Sequence, residues 1–216
     1  MVKEVLTEML ELREIPKPKK DEYPPYSRIY MDLLIDDGHV LQHLKENFTE
    51  IKKFIYGLPE EKLYYRYAED KWSIKEILVH IVDDERIFAY RALRYARGDD
   101  TELHGFEQDD YTFFSDANER SLASIFDEYE SVRMSTIAMF NGFPDEAFMR
   151  SGAAVGGINR RTVRALAYHI AGHELRHIKV IKERYLNLST ENGILFDDPT
   201  ILRPLERSVS PRHTSL

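Results

Sequence analysis

The residues best suited to chemistry cluster around histidine. Residues 168–177 read YHIAGHELRH. Within them, HELRH matches the H-E-x-x-H pattern in which two imidazoles bind zinc and the glutamate serves as base. On a helix, His173 and His177 stand at i and i+4, on one face with Cβ atoms about 5–6 Å apart, so they can address one ion. His169 repeats the spacing one turn earlier. On a helical wheel set by Val163, Leu166, Ile170, Ile181 and Leu188, His177 falls roughly 20° from the centre of the apolar stripe, His173 about 60° and His169 about 100°. His169 is therefore expected to turn toward solvent or a flanking helix, and the favoured pair is His173 with His177.

A metal held inside a bundle needs a further ligand from another helix. In the stretch IKEILVHIVDDERIF, Ile74, Ile77, Leu78, Ile81 and Phe88 mark the core side. His80 lies about 105° from its centre and Asp84, one turn on, about 65°. His80 can supply an imidazole at the edge of an interhelical groove. Asp84 is placed to support a ligand from behind or to bind weakly, and Asp83 and Glu85 are nearby carboxylates of less certain direction. A second i, i+4 pair, His39 and His43, reads as a solvated helix face. His104 and His213 have no partner at a useful spacing.

The protease reading of HELRH fails on context. Its extended form requires a glycine at position 180 and a histidine at 183, where the chain has Val180 and Glu183. A downstream glutamate such as Glu191 follows the expected end of the helix. Glu174 points within about 40° of the core stripe. A carboxylate there is expected to pair with a buried arginine or to be held as a neutral acid, since an isolated buried charge is too costly.

Composition narrows the chemistry. The 216 residues carry 30 basic and 38 acidic side chains, a net charge of −8. No sustained basic stripe is present to displace counterions from a duplex, so nucleic acid is not an expected partner. With no cysteine, disulfides, thiolate ligands and a cysteine nucleophile are all excluded, and a metal must rest on His, Asp or Glu. Hydrophobic content of 43% with 31% charged residues suits a globular domain. No apolar run reaches the roughly 20 residues of a membrane span, and the first residues lack a basic-then-apolar leader pattern. A cytoplasmic protein without a membrane partner is expected.

Four stretches have the helical periodicity to position these groups, at about 36–56, 74–97, 122–140 and 160–188, and none shows strand alternation bounded by turns. The second has a legible start: Ser73 as N-cap with Glu76 three residues on forms a capping box, and Trp72 can staple against Ile77. Glu76 is accordingly assigned to structure. The intervening segments 57–71, 98–119 and 141–159 are long for a bundle, which marks them as carrying function or covering a site. Within the middle one, GFEQDDYTFFS could lend Tyr111 or aromatic walls to a pocket. The expected organisation is an all-α bundle domain over 26–188, an N-terminal extension over 1–25 with a short helix at its start, and a polar tail over 189–216.

KWSIKEILVHIVDDE followed far downstream by AYHIAGHELRHIKVI resembles the DinB/YfiT-like superfamily. The W-S-x-x-E-x-x-x-H motif falls on Trp72, Ser73, Glu76 and His80, and the H-x-x-x-H pair on His173 and His177. The resemblance implies a four-helix bundle, often a homodimer, with a divalent metal on His80, His173 and His177. The metal so implied is zinc or nickel first, then iron or manganese, and three nitrogen ligands do not choose among them. The activities implied are transfer of a low-molecular-weight thiol, or hydrolysis, with a small molecule as substrate. Three ligands and an open position suit catalysis better than a closed structural site. Asp84 and Glu85 are the nearest candidates for the catalytic base. The alternative is a non-enzymatic bundle that binds a small ligand or partner with a structural metal or none.

Overall fold

A computed structural model of the chain describes residues 11–99, 101–154 and 156–187. Most of the expected N-terminal helix lies outside these residues, as do Leu188, Glu191, His213 and the polar tail. In chain order the described helices are α1 (Arg28–Met31), α2 (Val40–Tyr56), α3 (Glu60–Leu63), α4 (Ile74–Ala96), α5 (Gln108–Phe113), α6 (Leu122–Asn141) and α7 (Val163–Val180). The last continues into a π-helical turn, Ile181–Tyr185. Helices α2, α4, α6 and α7 form the bundle expected from periodicity. The capping box is formed as read, with Ser73 N–H donating to Glu76 Oε2 at 2.6 Å and Glu76 N–H to Ser73 Oγ at 3.2 Å.

Three features depart from the sequence reading. The segments between the long helices hold α3, α5 and a two-residue antiparallel hairpin, with Ser151 opposite Thr162 and Gly152 opposite Arg161. Strands this short leave no alternation to detect. The first long helix begins at Val40, because Asp37 and Gly38 turn the chain and His39 serves as its N-cap. Third, the N-terminal extension, read from the sequence only as a segment outside the bundle domain, packs onto the bundle. Ile15 is buried, its carbonyl accepts from Tyr168 Oη at 2.8 Å, and Glu22 pairs with Arg164. With no regular apolar period, that extended segment gives no signal of burial.

The bundle interior is two apolar clusters separated by a polar layer. One cluster holds Leu41, Leu44, Phe88, Ile137, Phe140 and Ile170; the other holds Ile51, Ile77, Leu78, Phe126, Val132 and Ile178. Between them on the four helices lie Asn47, Glu85, Arg133 and Glu174. Arg133 is 1% exposed and is the hub. Its guanidinium donates to both oxygens of Glu85 at 2.8–3.1 Å, to Glu174 Oε1 at 3.2 Å and to the Leu44 carbonyl. Asn47 donates to Glu174 Oε1 at 2.9 Å, and Tyr129 donates to Glu174 Oε2. One cation thus ties all four bundle helices together, and the pairing expected for Glu174 is met by Arg133. Buried charge on this scale is tolerable only because each group is hydrogen-bonded.

Candidate metal centre

His80 sits two turns into α4 and is buried, and His173 and His177 stand one turn apart on α7. The three rings converge through Nε2. His173 Nε2 is 3.2 Å from His80 Nε2 and 3.1 Å from His177 Nε2, and all three atoms lie within 4.8 Å of one another. Nitrogens bound about 2.0–2.1 Å from a tetrahedral ion stand about 3.3 Å apart, so the observed spacing is that of a ligand set. Hydrogen bonding alone does not account for it. A ring nitrogen offers either one proton or one lone pair, and His173 Nε2 cannot serve two neighbours that both point at it.

The protonation state suits metal binding. Burial pushes His173 down to about 3, against the opposing pull of Asp84. Burial also lowers His80, and it lowers His177 well below its ordinary value with help from His173 and His80. All three are neutral near pH 7, with lone pairs available.

Asp84 stands behind this set. Its Oδ2 is 3.3 Å from His173 Nδ1 and 3.5 Å from His169 Nε2, yet it makes no aligned hydrogen bond among the described residues. Burial opposes its charge, but the imidazoles of His173, His169 and His80 hold its pKa below the usual range. A buried anion with an orphaned oxygen, one ring away from three converging lone pairs, is an arrangement that a cation at the lone pairs would complete. The residues present therefore fit a divalent metal ion.

The other residues singled out from the sequence make different contacts. Glu85 lies in the Arg133 network, with both oxygens accepting from the guanidinium. Asp84 reaches the Nδ1 side of His173, the far side of the ring from the converging nitrogens. His169 is not turned to solvent. It is 3% exposed and stacks on Phe88 of α4 at 3.8 Å between centroids. This is the second of the two directions expected for it, toward a flanking helix, and α1 covers the same face of α7. Gly172 allows this approach, since a Cβ there would overlap the Tyr30 carbonyl oxygen. The Tyr30 ring then packs edge-on against His169 and His173 at 4.9 and 5.4 Å. His39 is exposed and His43 Nε2 pairs with Asp37 at 2.9 Å, in keeping with a surface face.

A cleft of about 500 Å³ opens onto His173 and His177. Trp72 forms one wall, its ring 4.7 Å from that of His80 and held by a 2.6 Å hydrogen bond from Tyr185 Oη to its carbonyl. Sequence reasoning takes Trp72 as a helix staple and as the first residue of the W-S-x-x-E-x-x-x-H motif, not as a wall of the site, and misses Tyr30. Trp72 has a signal, being the residue before the N-cap and two turns from His80; Tyr30 has none. The long segments do contribute, through Tyr67 from one and Asp109, Thr112 and Phe113 from α5. Tyr111 does not line this cleft; it faces a separate hollow of about 430 Å³ with Asp83 and Arg120.

Comparison with known proteins agrees with this picture. The family described as the DinB superfamily matches residues 43–181. Among solved structures, YfiT from Bacillus subtilis superposes with a TM-score of 0.62 at 14% identity, covering 69% of this chain and 87% of YfiT. That protein is described as a probable metal-dependent hydrolase with an unusual four-helix bundle topology. At this identity the likeness shows the fold. No curated protein matches the chain in sequence.

Proposed function

The chain belongs to the DinB superfamily, and on that premise we propose that it is a metal-dependent enzyme acting on a small molecule. His80, His173 and His177 would hold one divalent ion, zinc or nickel first. The observation that carries the reading is the convergence of three neutral Nε2 atoms, 3.1 and 3.2 Å apart through His173, at a cleft of about 500 Å³. The description of YfiT as a probable metal-dependent hydrolase supports it from outside.

A divalent ion in an open three-nitrogen site supplies Lewis acidity, lowering the pKa of a thiol or water in its free position. The chain's own residues do the rest. Asp84, with Oδ2 3.3 Å from His173 Nδ1, favours the tautomer that carries its proton on that nitrogen and leaves Nε2 as the donor atom. It acts through His173 and does not reach the substrate. Trp72 and Tyr30 narrow the approach and exclude water from the imidazoles. Because the chain has no cysteine, any sulfur nucleophile arrives as a low-molecular-weight thiol. We favour transfer of such a thiol, with hydrolysis as the reaction of the same site when water takes the thiol's place.

The test is metal analysis of the freshly purified protein with a thiol-dependent activity screen. About one divalent ion per chain is expected, lost in His80→Ala and in His173→Ala while the fold is kept, because a three-ligand site has none to spare. Stoichiometric metal that persists in both variants would place the ion elsewhere and sink the proposal.

A further inference from the structure

We propose that α5 selects the ligand, and that it selects for a protonated amine; this rests on the metal-site reading above. Asp109 and Thr112 are one turn apart on α5, so they share a face, and both line the cleft that opens onto His173 and His177. Asp110, Tyr111 and Phe114 point the other way and line the separate hollow. Thr112 is 6% exposed, and its Oγ1 has no hydrogen-bond partner among the described residues. Such a group is costly to leave unmatched and marks a place where something else binds. Tyr67 Oη, on the segment before α4, is a second buried hydroxyl of the same cleft without a partner among the described residues.

The sign of the ligand's charge follows from which charges around the cleft are already matched. Glu76 caps α4 and accepts from Arg66 at 2.6 Å, and Asp70 pairs with Lys71 at 2.7 Å. Arg176 lies next to His177 on α7, at the histidine end of the cleft, and has interactions of its own. The Asp109 carboxylate, exposed at the rim of the cleft, has no side-chain hydrogen bond or ion pair among the described residues. A carboxylate and hydroxyl acceptors, set beside the aromatic rings of Phe113, Trp72 and Tyr67, form a receptor for a cationic hydrogen-bond donor. The ligand class is a small molecule whose ammonium group rests on α5 while its reacting end lies at the histidines.

The full chain loaded with cobalt(II) gives a readout independent of turnover, the absorption band of a bound thiolate. Three probes are compared: 4-(aminomethyl)thiophenol, 4-mercaptobenzyl alcohol and 4-mercaptobenzoate. Their para geometry keeps the second group off the ion. The amine should bind about tenfold more tightly than the alcohol, the size expected of one charge-assisted hydrogen bond, and the benzoate more weakly than either. Asp109→Asn should abolish this ranking and leave cobalt content unchanged, and Thr112→Val should weaken the amine alone. Equal binding of the three probes, or a ranking that survives Asp109→Asn, overturns the assignment of α5 while the metal site stands. Failure of the protein to take up cobalt, or of every probe to give the band, overturns the metal-site reading and this inference with it.

Discussion

Replacing Arg133 by Met tests the polar layer that holds the bundle in register. The substitution keeps the volume but leaves Glu85 and Glu174, 1% and 0% exposed, facing each other without their shared cation. Keeping both ionised is too expensive in the interior, so one carboxyl takes up a proton on folding. Raising a glutamate pKa from about 4.3 to above 7 costs about 3.7 kcal/mol at pH 7, at about 1.36 kcal/mol per unit. This agrees with the roughly 3–5 kcal/mol measured when one partner of a buried pair is removed. Glu85 already titrates above its ordinary value in the native protein, because burial outweighs Arg133, so it is the first candidate for the proton, and about 3.7 kcal/mol is the upper bound of the difference from native. Its folded pKa lies above its unfolded one. The loss is therefore full at and above neutrality and shrinks as pH falls toward the unfolded value, by about 1.4 kcal/mol per pH unit. Urea unfolding with a chelator present, so that bound metal adds nothing, measures it. With a slope of about 2 kcal/mol per molar urea, the midpoint should fall by at most about 2 M at pH 7 and at most about 1 M at pH 5.5, relative to the native protein at each pH. A variant within about 1 kcal/mol of native at pH 7, below the range for broken buried pairs, or a deficit that ignores pH, would refute the reasoning.

Further outcomes follow from the site and its supports. Asp84→Asn should weaken metal affinity by about 10–100-fold, as loss of a carboxylate behind a histidine ligand does, with the fold intact by circular dichroism. Gly172→Ala drives a methyl into the Tyr30 carbonyl, so α1 must lift and Tyr30 must leave His169 and His173. Faster hydrogen exchange over residues 28–31, with α4 and α6 unchanged, is the expected signature. Ser73→Ala removes the acceptor for the Glu76 amide and should cost about 1 kcal/mol in a urea melt, with metal content unaffected.

Much of the site is legible in the sequence because it is built from local regularities. The i, i+4 spacing of His173 and His177 and the capping box at Ser73 are properties of single helices, and they survive folding unchanged. The wheel also points Glu174 inward, where it meets Arg133. It ranks the histidines of α7 wrongly, however. His177, placed nearest the core, is the most exposed of the three, whereas His169, placed toward solvent or a flanking helix, is buried against Phe88 of α4. The wheel assumes one buried face, whereas the first half of α7 is covered on nearly every side by α1, α4 and the hairpin. Asp84 and Glu85 are neighbours in sequence with the same chemistry, and nothing local separates their roles. A helix sends adjacent residues about 100° apart, so one meets His173 and the other Arg133.

Helical period and residue type are enough to establish the all-α class, the lack of a thiol in the chain, the entry to α4 and the histidine trio. They are not enough to say that Arg133 joins the four helices, that Tyr30 and Trp72 wall the imidazoles, or that Asp109 and Thr112 share the cleft with His173. Those relations join residues far apart in the chain, and only the packed bundle brings them together. Periodicity tells which face of a helix is buried, but the identity of what covers it depends on where the rest of the chain packs.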